Sequence, residues 1–371
     1  MGDAVKHTLC LFTLLLILTS FCLPPSAAAQ AAYAYPPEAP SVQAESAILM
    51  DVNSKRVLYE KNADEPRPIA SITKIMTAIL AIEHGRLEDT VIVSPKASRM
   101  EGSSIYLRPG ERVTLETLLY GLMLRSGNDA AIAIAEHLAG SEDNFAQLMN
   151  IKAWELGMDR TRFANPHGLH EEGHFSTARD MALLSSYALK NPVFQEIVKT
   201  KTKRVSWPGQ EWQRSWLNKN KMLHYYPGAD GVKTGYTRKS GRTLVSSATR
   251  ANQQLVVVTL NDPDDWRDHM RLLDYGFSRY PARVLLKEGQ PVPIPDQWRG
   301  KEPEARALEV AQTVYYPLAQ EELEAVEAAV VFSPQSRQRW LEGKNGEAVG
   351  HVRLMFQGEP IAVVPICIRD R

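Results

Sequence analysis

The chain contains little cysteine and has no excess of charge of either sign. Three cysteines occur in 371 residues, and two of them, Cys10 and Cys22, lie in an apolar N-terminal run, which leaves Cys367 alone. A single remaining thiol cannot form an intramolecular disulfide. The 43 Lys and Arg residues balance 43 Asp and Glu residues. That balance removes the electrostatic argument for nucleic acid or an anionic membrane surface as a partner, so we predict no nucleic acid partner.

The N-terminus carries an apolar run that is too short for a stable membrane anchor. Lys6 precedes the run LCLFTLLLILTSFCL, and the small residues of SAAAQ follow it. This order is typical of a secretory signal peptide, so we predict cleavage after Ala29 and an exported protein. A second small-residue site ends at Ala34. Lipid modification of Cys22 is disfavoured, because the bulky Phe21 precedes it.

The part that remains is long for one domain. It has roughly 340 residues, whereas a single hydrophobic core stops growing at about 250–300 residues. Composition changes after Tyr280, where short β-branched runs broken by Pro and Gly begin. We predict a signal peptide at 1–29, an Ala/Pro-rich linker at 30–41, a first domain at 42–280 and a small all-β domain at 281–371. The last domain has no cluster of ionisable residues, which favours a spacer or docking role.

The first domain contains two periodicities. ESAILMDVNSKRVLYEKN predicts a hairpin over about 46–60. SITKIMTAILAIEHG predicts a helix that is apolar nearly all round, and two further helices flank RSG in TLETLLYGLML and NDAAIAIAEHLAG. Near residue 230 the pattern becomes alternating, and GVKTGYT, RTLVSSAT and QLVVVTL predict three antiparallel strands. These patterns favour an α+β fold with one antiparallel sheet of about five strands and helices packed against it.

HEEGH at 170–174 matches the H-E-x-x-H signature of zinc peptidases. The signature requires a helix, because only there do its two histidines share one face. Pro166, Gly168 and Gly173 surround the histidines and break helical structure, and a predicted helix cap comes only at Thr177. We therefore predict a solvated polar loop and no bound metal.

Ser71 and Lys74 form an S-x-x-K motif at the start of the predicted buried helix. Residues three apart on a helix are neighbours, with Cβ atoms about 5–6 Å apart. A serine becomes a nucleophile when a base takes its proton, and lysine can be that base only if burial or a nearby cation keeps it neutral. The alternatives are a helix cap for Ser71 and a surface position for Lys74. The apolar turn around Lys74 disfavours the second alternative, because an unpaired buried ammonium is costly.

Two further motifs fall on predicted elements that give them meaning. Ser126 and Asn128, in SGN, lie at the corner between two predicted helices, where they can relay a proton and orient a carbonyl, or cap the following helix. Lys233, Thr234 and Gly235, in KTG, lie on the first strand of the meander. There the lysine and the threonine can present a cation and a hydroxyl to a carboxylate. The glycine lacks the side chain that would keep a substrate backbone away from the strand. The alternative is a strand that begins with a solvated lysine.

In this order and on these elements, the three motifs resemble the serine-type D-Ala-D-Ala carboxypeptidases, the low-molecular-mass penicillin-binding proteins. The stretches that carry the resemblance are PIASITKIMTA, LMLRSGNDAAIAIAEH, NPHGL, GHFSTARDMALLS and YPGADGVKTGYT. It is strong over 42–280 and weak over 281–371. The resemblance implies the fold shared by penicillin-binding proteins and serine β-lactamases, followed by a C-terminal β domain, with no cofactor.

The resemblance also implies a catalytic role for four motif residues. Ser71 would be the nucleophile that forms the acyl-enzyme, and Lys74 would be its base. Ser126 would relay a proton towards the leaving D-alanine, and Asn128 would orient the substrate. The implied substrate is a peptidoglycan pentapeptide that ends in D-Ala-D-Ala, and β-lactams would inhibit the enzyme by acylating Ser71.

The same resemblance assigns substrate binding to the strand that holds KTG. Lys233 and Thr234 would receive the terminal carboxylate, next to Gly235. The backbone N–H groups of Ser71 and Tyr236 would form an oxyanion hole, in which fixed donors meet the charge of the tetrahedral intermediate. The enzyme would act outside the cytoplasm, in the cell wall or at the outer face of the cytoplasmic membrane.

Two other functions stay open at this point. A serine β-lactamase shares the three motifs, but class A enzymes add E-x-x-L-N, which does not occur between Asn128 and Lys233. A non-catalytic cell-wall-binding protein is disfavoured by the intact motifs.

Many members of the family end in an amphipathic helix that tethers them to the membrane, and the sequence up to VVPICIRDR shows no such pattern. Contact with the membrane therefore stays undecided.

Overall fold

The computed structural model describes residues 38–207, 209, 211–298 and 306–370. The predicted signal peptide and most of the predicted linker lie outside these residues. The chain divides into two compact units, one ending at Tyr280 and the other beginning at Pro281. Within the described part of the chain, no helix is long and apolar enough to cross a membrane.

The first unit contains a large sheet, two small two-stranded sheets and a set of helices. Its strands are β1 (Ser46–Asp51), β2 (Val57–Lys61), β3 (Thr90–Ile92), β4 (Arg112–Thr114), β5 (Thr202–Val205), β6 (Arg214–Leu217), β7 (Ala229–Thr237), β8 (Gly241–Arg250) and β9 (Gln253–Leu260). Its α-helices are α1 (Lys74–His84), α2 (Pro95–Ser98), α3 (Leu115–Tyr120), α4 (Asn128–Ala139), α5 (Glu142–Glu155), α6 (Ala178–Ala188), α7 (Pro192–Lys199), α8 (Met222–Tyr225) and α9 (Asp265–Arg279). A 3-10 turn at Ala70–Thr73 precedes α1, and a π-helical turn at Gly121–Arg125 follows α3.

The large sheet has the strand order β2-β1-β9-β8-β7, and every pair is antiparallel. The N-terminal hairpin therefore adds to the later meander, which confirms the predicted five-stranded arrangement. The pairing of Ser46 with Leu260 joins the two parts in register. Strand β7 lies at the edge of this sheet, so one side of its backbone is not paired within the sheet.

Apolar side chains cover both faces of the sheet. On one face α6 packs against β1 and β9, and α1 packs against α6 and the neighbouring helices, with its apolar residues from Ile75 to Ala81 almost fully buried. Because α1 is apolar nearly all round, it is stable only when it is buried on all sides, as the sequence predicted. On the other face α9 is amphipathic and buries Leu272 and Leu273 against residues that include Leu49 and Leu255. The S-x-x-K and KTG motifs thus lie on elements that pack against buried apolar side chains.

The second unit is rich in β-strands. Its elements are β10 (Ala282–Leu286), β11 (Pro291–Val292), β12 (Arg306–Val310), β13 (Val314–Pro317), β14 (Val326–Phe332), α10 (Ser336–Glu342), β15 (Ala348–Phe356) and β16 (Glu359–Asp370). Five strands form an antiparallel sheet of order β11-β12-β16-β15-β14, and β10 pairs with β13. The predicted β-rich character is confirmed. The short helix α10, which buries Trp340 in the core of this unit, was not expected from the sequence.

Candidate active site

Ser71 lies on the 3-10 turn that leads into α1, so the α-helix proper begins at the lysine of the S-x-x-K motif. Ala70, directly before Ser71, has a φ of 49°. This left-handed conformation is uncommon for a residue with a side chain and costs free energy, on the order of 1–3 kcal/mol. The chain therefore presents Ser71 from a turn that must be held in place by its surroundings.

Lys74 is fully buried, and three oxygen atoms surround its Nζ. Ser71 Oγ lies at 3.0 Å, Asn128 Oδ1 lies at 2.7 Å, and the carbonyl oxygen of His167 is the third neighbour. The Asn128 amide also donates through Nδ2 to the carbonyl of Glu101 at 2.6 Å, which orients its oxygen towards Lys74. A neutral amine has two N–H groups and one lone pair. The two oxygens that only accept take both N–H groups, so the lone pair is left for the Ser71 hydroxyl.

The electrostatics of the site favour this neutral amine. Burial lowers the pKa of Lys74 well below its ordinary value, and the cations at Lys233 and Lys219 lower it further, whereas Asp129 acts in the opposite direction. Burial, followed by Lys219, lowers the pKa of Lys233 to about 7. Burial and Arg125 lower the pKa of Lys219. Because like charges disfavour one another, the grouping of three lysines in one site disfavours the charged form of Lys74.

The KTG motif lies on β7, the edge strand of the sheet. Lys233 is only 1% exposed, and its Nζ donates to the carbonyl of Thr234 at 2.9 Å. A Cβ atom on Gly235 would lie 3.0 Å from the backbone nitrogen of Ser71. The missing side chain therefore lets β7 pass close to the Ser71 N–H group. Tyr236 follows on the same strand and is 67% exposed.

The SGN motif forms the corner between the π-helical turn and α4. Ser126 is buried in a left-handed conformation with a φ of 65°, and Asn128 reaches Lys74 as described above. Neither side chain caps α4, whose N-cap is Gly127, so the capping alternative is wrong. Among the residues that the structure describes, no hydrogen bond joins the Ser126 hydroxyl to Ser71 or Lys74. The connection of Ser126 to Lys74 therefore runs through the backbone, because Ser126 lies two residues before Asn128.

Two contributors to the site were not predicted from the sequence. Lys219, in the loop between β6 and α8, donates to Ser103 Oγ at 3.0 Å and acts on the pKa of both motif lysines. Its surrounding sequence, NKNK, has no motif or periodicity that marks it. His167 contributes its backbone carbonyl, which carries no residue-specific signal, although NPHGL is one of the stretches in which the family resemblance was found.

HEEGH lies in the loop before α6, as predicted. His170 is exposed, but His174 is buried, so the expectation of a fully solvated loop is wrong. Nε2 of His174 lies 2.8 Å from Thr73 Oγ1, and Nδ1 accepts a hydrogen bond from the Ala164 N–H at 3.1 Å. Both ring nitrogens therefore have partners inside the protein. In the described parts of the chain, no three His, Cys, Asp or Glu side chains are grouped so that they could hold a metal ion.

Known proteins match both the sequence and this fold. The D-alanyl-D-alanine carboxypeptidase family matches residues 33–264. D-alanyl-D-alanine carboxypeptidase DacF of Bacillus subtilis (strain 168) is 40% identical over 270 residues, which are 70% of this chain and 69% of the relative.

Two solved structures match most of the chain. The crystal structure of D-alanyl-D-alanine carboxypeptidase DacD from Francisella tularensis has a TM-score of 0.66 and 28% identity, and the match covers 89% of this chain and 94% of that one. Penicillin binding protein 5 from Haemophilus influenzae has a TM-score of 0.68 and 25% identity, with coverages of 90% and 98%. The similarity thus extends into the second unit.

Proposed function

The chain belongs to the D-alanyl-D-alanine carboxypeptidase family, and on that basis we propose that Ser71 attacks the bond between the two D-alanines at the end of a peptidoglycan stem peptide. The protein is a serine peptidase of the penicillin-binding kind. One observation carries the residue assignment. Lys74 Nζ lies 3.0 Å from Ser71 Oγ in a buried site where two other oxygens take its N–H groups. This arrangement supports Lys74 as the base.

Substrate binding uses the free edge of β7. The terminal carboxylate lies against Lys233 and Thr234, and its negative charge favours the ammonium form of Lys233. The bound carboxylate therefore raises the pKa of Lys233 from the value of about 7 that burial and Lys219 give it in the free protein. Gly235 leaves room for the peptide backbone beside the strand, which can add to the sheet edge through main-chain hydrogen bonds.

Acylation proceeds in two steps. Ser71 Oγ bonds to the carbonyl carbon of the penultimate D-alanine while Lys74 takes the hydroxyl proton. The oxyanion lies against the N–H groups of Ser71 and Tyr236, the second of which stays an assignment from the family resemblance. The C–N bond then breaks, and the proton on Lys74 passes through the Ser126 hydroxyl to the departing amine of D-alanine. Asn128 holds Lys74 in place by its hydrogen bond of 2.7 Å.

Deacylation reverses the roles with water in place of the amine. Water bonds to the ester carbonyl carbon while Lys74 takes a water proton, and the bond to Ser71 Oγ breaks as that proton returns to the serine. The products are the shortened peptide and the free enzyme. No cofactor enters this sequence.

The β-lactamase alternative is not favoured. The matched relative and structures carry the names of carboxypeptidases and a penicillin-binding protein, and the chain has no E-x-x-L-N segment between Asn128 and Lys233. A β-lactam therefore acylates Ser71 and leaves slowly. The proposed substrate lies outside the cytoplasmic membrane, which agrees with the export signal predicted over 1–29.

Intact-mass and peptide-mapping measurements after incubation with benzylpenicillin, combined with D-alanine release from a stem pentapeptide, test this function. Persistent modification of Ser71 together with D-alanine release supports the carboxypeptidase. Modification that disappears within seconds, without D-alanine release, indicates a β-lactamase instead. No modification and no release indicate a non-catalytic wall-binding protein.

A further inference from the structure

His174, which the sequence singled out within HEEGH, lies directly behind the nucleophile turn. Its ring packs edge-on against Phe163 at a centroid distance of 5.9 Å. Nδ1 accepts a hydrogen bond from the backbone N–H of Ala164, so this nitrogen carries no proton. The proton of the neutral imidazole is therefore on Nε2, which donates to Thr73 Oγ1 at 2.8 Å. Because a backbone N–H can only donate, the hydrogen bond from Ala164 determines which ring nitrogen of His174 carries the proton.

Thr73 connects His174 to Ala70, the residue before Ser71. Its hydroxyl proton is free to donate, and Oγ1 lies 2.8 Å from the carbonyl oxygen of Ala70. Ala70 is the residue with the left-handed φ of 49°. A continuous series of hydrogen bonds thus runs from the Ala164 N–H through His174 and Thr73 to the strained peptide next to the nucleophile.

The packing around this series leaves little room for adjustment. Gly168 lies so close that a Cβ atom there would be 1.9 Å from the Ala70 carbonyl oxygen and 2.8 Å from Thr73 Oγ1. Its own φ of 84° is also left-handed, which favours glycine. On the opposite side, Thr243 Oγ1 donates to the carbonyl of Ile69 at 3.0 Å. The turn is therefore held from the 164–174 loop on one side and from β8 on the other.

We propose that His174 is a positioning residue for the reaction, which holds the Ser71 turn in its strained geometry through the hydroxyl of Thr73. This inference rests on the proposed function, because it presumes that Ser71 is the nucleophile. His174 does not touch the substrate in this role and transfers no proton. Its contribution is to keep Ser71 Oγ within reach of Lys74, and a displacement of about 1 Å in such an arrangement can slow a reaction by about 100-fold.

The protonation state of His174 agrees with a fixed, neutral ring. Burial lowers the pKa of His174 to about 4, and electrostatic interactions with His167, Lys74 and His170 act in the same direction. At neutral pH the ring therefore keeps one acceptor and one donor, as the two hydrogen bonds require. A role in proton transfer near neutral pH would need a pKa closer to the working range.

The experiment compares the acylation of four single variants and one double variant with that of the wild-type chain, using a fluorescent penicillin. His174→Phe keeps an aromatic ring but removes both nitrogens, whereas His174→Gln keeps a donor of similar reach. Thr73→Val removes the hydroxyl at nearly constant shape. His170→Phe is the matched control, because His170 belongs to the same HEEGH segment and its side chain is exposed. The final extent of labelling measures the fraction of molecules that have a competent site. The rate constant at saturation measures how fast each competent site is acylated.

A positioning role predicts a specific division of effects. His174→Phe lowers the acylation rate constant about 10- to 100-fold while the extent of labelling and the concentration for half-saturation stay near wild type, since Lys233 and Thr234 are untouched. His174→Gln recovers most of the rate, and His170→Phe does not change it. Thr73→Val slows acylation similarly, and combining it with His174→Phe adds little, because both remove the same connection.

The opposite results would overturn the inference. A wild-type rate per competent site in His174→Phe would limit His174 to a structural role, as would fully additive effects of the two substitutions. If His174→Phe does not fold, His174→Gln and Thr73→Val still decide the matter through their rates. A wild-type chain that is not labelled at Ser71 would refute the proposed function itself, and that outcome is distinct from labelling that is insensitive to His174.

Discussion

The amine of Lys74 and the hydroxyl of Ser71 lie 3.0 Å apart at the junction of the 3-10 turn and α1. Lys74 is fully buried, and its other two contacts are a fixed carbonyl and a fixed amide oxygen. Among the hydrogen-bond partners of this amine in the described part of the chain, the serine is therefore the only one that can donate to its lone pair.

Ser71→Ala should abolish both D-alanine release and β-lactam labelling, because it removes the atom that forms the covalent bond. The loss of kcat should be at least about 10³-fold. The side chain is small and only half-buried, so the melting temperature should stay close to that of the wild-type chain. Mass spectrometry and a thermal melt measure the two effects. An adduct that persists on the variant would show that another residue is the nucleophile.

Lys74→Arg and Lys233→Arg should differ strongly although each keeps a positive charge. A guanidinium does not lose its proton in the working pH range, so Lys74→Arg should be nearly inactive in acylation. Lys233→Arg keeps the charge that binds the carboxylate and repels a proton on Lys74, so its acylation should be affected less. Stopped-flow acylation by a chromogenic β-lactam measures both rates. Equal losses, or an active Lys74→Arg enzyme, would mean that the base is assigned to the wrong lysine.

The pH profile of kcat/KM should have two limbs from the two motif lysines. Lys74 must be neutral to act, so activity falls as the pH decreases through its lowered pKa and the amine gains a proton. Lys233 must be charged to bind the carboxylate, so activity in the free enzyme falls as the pH rises through about 7. The bound carboxylate raises the pKa of Lys233, so the alkaline limb should lie at higher pH in kcat than in kcat/KM. An identical alkaline limb in both profiles would contradict this assignment.

Lys219→Met should move the acidic limb to higher pH. The Lys219 cation lowers the pKa of both Lys74 and Lys233, so its removal raises both values. Less of the base is then neutral at a given acidic pH, and the rate there should decrease several-fold. Lys221→Met is the matched control, because Lys221 lies two residues away on the same segment and is exposed. A profile of Lys219→Met that superimposes on that of Lys221→Met would exclude this electrostatic role.

Much of the site could be predicted from the sequence because its information is local. Ser71 and Lys74 are three residues apart at a helix start, Ser126 and Asn128 share one corner, and the KTG residues share one strand. Each motif lies within a single turn or strand, so the spacing alone determines which side chains can act together. The alternating apolar pattern after residue 230 likewise predicted the strands of the meander.

The tertiary structure alone decided how these local pieces meet and what supports them. His167 and His174 contact Lys74 and Thr73 across 93 and 101 residues of chain, respectively. No local pattern predicts such contacts, because they depend on the path of the loop over the nucleophile turn, and the His167 contact is made by a backbone carbonyl that every residue has. Lys219 is placed in the same way, because its backbone N–H donates to the carbonyl of Leu124 and its amine donates to Ser103 Oγ. The sequence by itself thus determined the candidate reacting groups and the strands and helices that carry them, whereas long-range packing decided the direction of their pKa shifts, their orientation and the burial of His174.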